Sequence, residues 1–319
     1  MVVNPRTVCG ARAALWSDAL VRLRAQRPVE CVETAGDGGD RGRIAALIAA
    51  TRPAVVVATG GDGTVRQVAA ALHEAGPGAP ALGMLPFGTA NNVARSLGVP
   101  AVHQRGGAAA IERGVATILG GAERDLDLGC VGSDIFVGSC ALGMDAAILA
   151  ARNRWRRRWR LGPGLGGYAL YLLSCAVNLT RHRAESARVQ ADGAPWIGPV
   201  YNLLIANTPL YAGEFRFDGG DHSADGRLDL HVFTSPLDYV RAFVTAWRRH
   251  LRDQRGEAVD PSPRLRRVER ISVAVDAPLP SQLDGEEHGS AAQYEVRVLP
   301  NAIRVVAPAS VPGRRAERG

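Results

Sequence analysis

The β-branched run Ala54-Val55-Val56-Val57-Ala58 leads at once into Gly60-Gly61-Asp62-Gly63-Thr64, after which Val65, Val68, Ala69 and Leu72 recur at i, i+3, i+4 and i+7. Opened by Pro53 and stopped by two glycines, the run reads as a buried strand, and the recurrence after it reads as one face of a helix. The unit repeats. Ala81 to Leu85 is a second short strand, Pro86-Phe87-Gly88-Thr89-Ala90-Asn91-Asn92 a second turn, and Val93, Ala94 and Leu97 begin a second helix. Before them come a strand stub at Val2-Val3, ending at Asn4-Pro5, and helical spacing over residues 13–24 and 44–50. Strands alternating with helices imply a parallel sheet with helices on its faces.

From about residue 125 the rhythm changes, with the boundary near Gly120-Gly121. Asp127 to Val131 and Ile135 to Cys140 flank a Gly-Ser-Asp turn as in a hairpin, and short strands recur at 200–206, 228–233, 271–275, 294–298 and 303–306, the last two joined by a turn at 300–302. Helical material interrupts them at about 165–180 and 237–251. The expected organisation is an α/β domain with a parallel sheet over 1–121, an antiparallel β-sandwich domain over 122–308, and a flexible tail over 309–319. A chain of 319 residues is long for one core and suits two domains.

The two glycine turns carry the chemistry. Glycines let the backbone approach an anion, and the free amides at a helix start point towards phosphate. Asp62 adds a carboxylate that repels phosphate unless a cation bridges them, so the first loop suggests a metal–nucleotide site; a tight turn with Asp62 as helix cap is the structural alternative. Gly60, Gly88 and Asn91 belong to the same pair of turns. In a parallel sheet both turns lie at the carboxyl edge, where ligands of open α/β folds bind.

The paired motifs, with Asn4-Pro5 near the start, are similar to the diacylglycerol kinase catalytic domain family, which includes sphingosine kinases and bacterial lipid kinases. The likeness continues through Asp125-Leu126-Asp127-Leu128-Gly129, Gly143-Met144-Asp145-Ala146, Asp225-Gly226-Arg227-Leu228-Asp229 and Leu283-Asp284-Gly285-Glu286, covering residues 1–308 in order. The resemblance implies a nucleotide domain, a β-sandwich lipid domain and an active site between them. It implies ATP contacts at Asn4, Thr34, Gly61, Asp62, Gly63, Thr64, Val65, Arg66, Gln67 and Thr89. It further implies a magnesium ion on Asp225 with backbone oxygens of His222 and Arg227, and Glu286 as proton acceptor. Whether Glu286 or Asp62 takes the proton stays open. The chain departs from the family at Val65-Arg66-Gln67, where Leu-Asn-Glu is usual, at Asn92, where aspartate is common, and at Arg6-Thr7-Val8-Cys9-Gly10, where the family has a compact Ser-Gly turn.

Composition narrows the chemistry. All 38 basic residues are arginine, so a Walker lysine, a protein-kinase strand lysine and a Schiff base are excluded. The net charge of +7 favours an anionic partner. The five cysteines have no metal spacing and suit a reducing compartment. Arg152 to Arg160 interleaves two tryptophans with six arginines, a pattern for docking on anionic phospholipid. Residues 161–180 lack charge, but their glycines leave too little helix for a span, so a packed or interfacial helix is expected. No signal peptide is visible at the start.

The expectation is a cytoplasmic ATP- and magnesium-dependent lipid kinase, peripherally bound to membrane, that acts on a lipid such as diacylglycerol and binds no nucleic acid; a homodimer is compatible with it. The apolar stretch with Leu203, Leu204, Ile205, Leu210, Tyr211 and Phe215 is expected to wall the acceptor site. The rivals are an NAD-kinase-like enzyme and a non-catalytic lipid or nucleotide sensor.

Overall fold

The computed structural model describes residues 1–102, 107–159, 167–218, 222–258 and 266–309. The first part is the expected α/β unit: β1 Val2–Val3, α1 Ala13–Arg24, β2 Val32–Glu33, α2 Asp40–Thr51, β3 Val55–Gly60, α3 Asp62–Ala75, β4 Ala81–Pro86, the short α4 Asn92–Ser96 and α5 Gly107–Gly120. Strands run parallel in the order β2-β1-β3-β4. Helices cover both faces: α2 and α3 bury Ile44, Ile48, Val68 and Leu72 on one side, while α1 and α5 bury Leu23, Ile111 and Val115 on the other. β3 and β4, sandwiched between the layers, are almost wholly apolar and buried, as such strands must be.

The second part is a β-sandwich with helices on one outer face. Its elements are β5 Ala122–Val131, β6 Asp134–Phe136, β7 Ser139–Gly143, α6 Met144–Arg158, α7 Gly167–Arg181, β8 Glu185–Ala191, β9 Ala194–Val200, β10 Asn202–Ala206, β11 Leu210–Tyr211, β12 Phe215–Arg216, β13 Leu228–Phe233, α8 Pro236–Gln254, β14 Arg266–Val268, β15 Arg270–Leu283 and β16 Glu286–Ala307. One strand serves both sheets. The start of β15 pairs with β8 and its end with β7, with a register break between Ala274 and Leu279 where the strand bends across. Leu203, Ile205, Leu230, Ile271 and Val296 fill the space between the sheets.

Three expectations change. The strands expected at 294–298 and 303–306 are one strand, β16, which turns at Asn301 (φ 48°) without ending. Its far end runs parallel to β4, opposing Val305 to Leu82, so the antiparallel sheet is hydrogen-bonded onto the parallel one. Leu126, Leu128, Ile303 and Val305 accordingly bury in the core of the first part. The residues before the charged run also form a helix, α6, reaching Arg158; Arg160, residues 161–166 and 310–319 of the expected tail lie outside the described residues. Finally, Leu203 and Ile205 are buried between the sheets, Leu204 is buried on the other face of β10 under the helices, and Leu210 is buried on β11, all at 0–5% exposure, so they cannot wall an open acceptor site; of the six, Tyr211 and Phe215 are partly exposed.

Candidate functional site

At the carboxyl edge of the parallel sheet the two glycine turns are clasped together. The amides of Phe87 and Gly88 both donate to the Gly60 carbonyl, at 2.9 and 3.0 Å. Gly61 and Gly88 meet backbone to backbone, and a Cβ on Gly88 would overlap the Gly61 Cα. Asp62, the first residue of α3, does not cap its own helix. Its carboxylate crosses to the second turn and accepts from the amides of Asn92 and Val93, each at 3.1 Å, and from Asn92 Nδ2 at 3.3 Å. Burial raises its pKa above the ordinary aspartate range, while these donors pull it back. Asn4 joins the edge by donating its amide to the Thr59 carbonyl and its Nδ2 to Thr64 Oγ1 at 3.5 Å, and the Thr34 amide donates to the Val3 carbonyl beside it. The amides of Thr64 and Val65 donate to the Gly61 carbonyl at 3.0 and 3.1 Å, while those of Asp62 and Gly63 precede the first intrahelical bond at this edge.

The second part supplies the opposite wall. The turn between β15 and β16 carries Asp284 at φ 49° and places Glu286 over the first glycine loop. Glu286 pairs with Arg66 of α3, and its Oε1 occupies the space a Cβ on Gly63 would need. Asp284 anchors the turn by accepting from the amides of Val137, Gly138 and Ser139 at 2.8, 2.7 and 2.9 Å. Burial raises its pKa to about 6 against those hydrogen bonds, with the Asp62 charge a smaller cause. Gln282 braces the same turn, accepting from the Gly285 amide at 2.6 Å and donating to Tyr211 Oη at 3.4 Å. Behind Tyr211 stands Asp145, which accepts from Tyr239 Oη and, at 2.8 Å, from Asn202 Nδ2. Burial raises the Asp145 pKa as well.

The Asp225 turn is a separate acidic cluster. Asp218, Asp225 and Asp229 converge on Arg267 at 3.4–3.8 Å, with His222 3.3 Å from Asp218. Burial, then the Asp218 charge, raises the Asp229 pKa to about 7. Among the described residues these three carboxylates face the one guanidinium of Arg267. Among the described residues no group of three or more His, Cys, Asp or Glu side chains is arranged to hold a metal.

Two family models match this chain: the diacylglycerol kinase catalytic domain over residues 1–131, and the YegS C-terminal NAD kinase beta sandwich-like domain over residues 138–307. The chain is 31% identical to the "Probable lipid kinase YegS-like" of Pseudomonas aeruginosa over 239 residues, which is 74% of this chain and 71% of that one. The chain belongs to the diacylglycerol kinase catalytic domain family. A second member, the "Probable lipid kinase YegS" of Salmonella typhimurium, is 25% identical over 238 residues, 73% of this chain and 71% of that one. A solved diacylglycerol kinase from Bacillus anthracis has the same fold, with a TM-score of 0.71 at 18% identity over 96% of this chain and 95% of that one. A kinase family of this kind implies use of ATP and typically of a divalent metal.

Asn4, Thr34, the loop Gly60 to Thr64, Gly88, Thr89 and Asn91 all stand at the one sheet edge, and Glu286 comes to them from the second part. Within this family reading, Val65 is the residue the structure sets apart: its side chain is in the core and its amide donates to the Gly61 carbonyl at 3.1 Å. Gln67 follows in the second turn of α3 and is half-buried. Asn91 holds a left-handed conformation (φ 50°) and closes the second turn by donating to the Gly88 carbonyl. The departures at Asn92 and Arg66 have local partners. Asn92 touches a carboxylate, Asp62, and accepts from the Gly213 amide at 2.7 Å; an amide satisfies both, where a carboxylate would repel Asp62. Arg66 is the counter-charge of Glu286. Sequence reasoning assigned no role to Asp284, Gln282 or Asp145. The Leu-Asp-Gly-Glu motif contained Asp284, but nothing in its spacing shows that it anchors Glu286.

Proposed function

We propose that this protein transfers the γ-phosphoryl group of ATP to the hydroxyl of a membrane lipid of the diacylglycerol kind. One observation carries the reading: a carboxylate from the sandwich domain, Glu286, is set over the glycine loop at Gly63. Phosphoryl transfer needs phosphate held in place and an acceptor hydroxyl aligned with it. The loop amides and the α3 N-terminus hold phosphate; Arg66 adds positive charge; Glu286 stands where it can take the hydroxyl proton. Asp62 is committed to clamping the second turn onto the first, which leaves Glu286 as the better-placed base. The polar group Asp145 with Tyr211 and Tyr239, linked to the Glu286 turn through Gln282, offers hydrogen bonds to a lipid headgroup beside it.

Magnesium is the cation of this reading, and the carboxylate and main-chain oxygens of the Asp225 turn are the hard ligands it takes. Asp225 with the main-chain oxygens of His222 and Arg227 would hold the ion, which would neutralise the acidic cluster and stiffen the turn. Anionic phospholipid is the surface partner, met by the end of α6, where exposed Trp159 stacks on Trp155 at 5.9 Å beside Arg154, Arg157 and Arg158. Among the described residues no helix is long and apolar enough to cross a membrane, and a peripheral protein on the cytoplasmic face accords with this reading.

The test is competitive. Purified protein is given labelled ATP, magnesium, NAD and diacylglycerol micelles together. Label on the lipid is the expected result; label on NAD and none on lipid overturns the reading.

A further inference from the structure

Helix α8 has an apolar stripe that the fold does not use. Tyr239, Phe243, Ala246 and His250 turn inward. Leu237, Val240, Val244, Trp247 and Leu251 follow 3-4-3-4 spacing along the same helix, about a third of a turn round from the buried face at ~100° per residue. The first four are 40–57% exposed. Among the described residues nine large hydrophobics are this exposed, and these four are on one face of one helix. Scattered single apolar residues need no explanation, but a contiguous stripe marks a surface that meets something.

The rim of the stripe identifies the partner. Arg241, Arg248, Arg252 and Arg255 run along its outer edge and are all exposed. Among the described residues Arg241 and Arg248 form no ion pair, while Arg252 and Arg255 share Glu257 at 3.2 and 3.7 Å. The two acids of the helix are engaged elsewhere: Asp238 accepts from the Thr234 amide at 3.0 Å, and Asp253 pairs with Arg216 at 3.3 Å. A second copy laid antiparallel on the stripe would therefore set arginine row against arginine row, with no acidic row to receive it. An anionic bilayer receives both features, apolar side chains at the acyl boundary and guanidinium groups among acidic headgroups.

We propose that the outer face of α8 is a second surface, besides the end of α6, by which this protein docks on an anionic membrane. The proposal rests on the lipid-kinase reading, which requires access to an acceptor held in a bilayer. The fold ties this face to the cleft. Phe243 of α8 packs on Tyr211 with ring centroids 6.1 Å apart, and Asp253 holds Arg216, so α8 sits on the β11–β12 hairpin. That hairpin donates its Gly213 amide to Asn92 of the second glycine turn. Docking through α8 thus brings the membrane within one hairpin of the site.

The experiment is sedimentation of the full chain with sucrose-loaded vesicles, of phosphatidylcholine alone or mixed equally with phosphatidylglycerol, without ATP. The variants are Val244→Ser/Trp247→Ser and Arg241→Ser/Arg248→Ser, all at exposed positions, with folding checked by circular dichroism. Each pair is expected to weaken binding to the phosphatidylglycerol vesicles by about tenfold or more, and raised salt to weaken the parent in the same way. Phosphorylation of a short-chain, water-dispersed diacylglycerol is expected to stay at the parental level. Undiminished vesicle binding by both variants overturns the proposal. So does a parent that is dimeric in sedimentation velocity and is split by Val244→Ser/Trp247→Ser with vesicle binding intact, because the stripe is then an interface between copies. Vesicle binding that depends on α8 while no lipid is ever phosphorylated supports the docking surface and refutes the kinase reading alone.

Discussion

The glycine loop at residues 60–64 and the turn at residues 284–286 face each other across the cleft, and each holds its functional groups by different means. In the loop the proposed working groups are backbone amides at the start of α3, set by the strand before and the helix after, and locked by contact with the second glycine turn. In the turn the proposed working group is a side chain, Glu286, exposed and, among the described residues, held by Arg66 and by the position of its backbone. That backbone is in turn fixed by Asp284, whose carboxylate gathers three amides from the β6–β7 connection. A loop built from backbone fails by steric change, and a turn built from a carboxylate fails by changes of charge. The two walls are therefore separable by experiment.

The largest effect is expected at the turn. Glu286→Gln keeps size and hydrogen bonding but cannot accept a proton, and should lower kcat by about 10² to 10⁴ with little change in KM for ATP. Steady-state kinetics on micellar lipid checks this; a collapse of ATP affinity at normal kcat would move Glu286 from the acceptor side to the nucleotide side. On the loop side Gly88→Ala comes next. Its methyl group meets the Gly61 backbone, which cannot swing aside, so the two turns must part. A stability loss of about 2–4 kcal/mol is expected in urea unfolding, with ATP binding weakened in parallel.

Asp284→Asn tests how the turn is held. Its three amide donors would face one oxygen in place of two, at a cost of about 1–3 kcal/mol. The pH dependence gives an independent mark. Because the folded pKa, about 6, is above the ordinary aspartate value of 3.8, the folded state binds the proton more tightly. The protonated group's contribution is complete below the unfolded pKa and is lost as pH rises from about 4 through about 6. The parent should lose stability over that window relative to Asp284→Asn, which has no such group. Parallel unfolding curves for the two proteins across the window would remove Asp284 as the buried anchor.

The two walls also differ in how far they were legible. The loop side was readable in the residues themselves, since a strand, glycines and helical spacing dictate both the parallel sheet and the edge on which Asn4, Gly61 and Thr89 gather. The turn side was legible only through family likeness, because a Leu-Asp-Gly-Glu hairpin turn has the same local pattern whether or not it faces a phosphate site. The contact between Glu286 and Arg66 joins residues 220 positions apart, and periodicity carries no information over that distance. The same limit explains the misplaced acceptor wall. Leu203, Leu204 and Ile205 form a continuous apolar run, which suits a strand with both faces covered as well as a lipid groove. The structure puts β10 in the middle of its sheet, between β7 and β13, under helices on its outer face.

The smallest effect expected is the one that best separates the walls. Gly63 lies on the loop, yet the atom in the way of its Cβ is not backbone but the carboxylate of Glu286, the far end of a flexible side chain. Gly63→Ala should therefore leave the fold nearly untouched, and an alanine in the first turn of α3 even favours the helix by a fraction of about 1 kcal/mol. What must move is Glu286, by rotation away from the loop and from Arg66. On the proposed role of Glu286 as proton acceptor, its displaced carboxylate loses alignment with the acceptor hydroxyl while the phosphate cradle keeps its amides, so kcat should fall about tenfold with KM for ATP little changed. The decisive comparison is the double variant Gly63→Ala/Glu286→Gln. If Gly63→Ala acts only through Glu286, the double variant should be no slower than Glu286→Gln alone. Multiplying the two single losses would instead show that the loop itself was damaged, and that Gly63 is needed by the nucleotide rather than by the carboxylate above it.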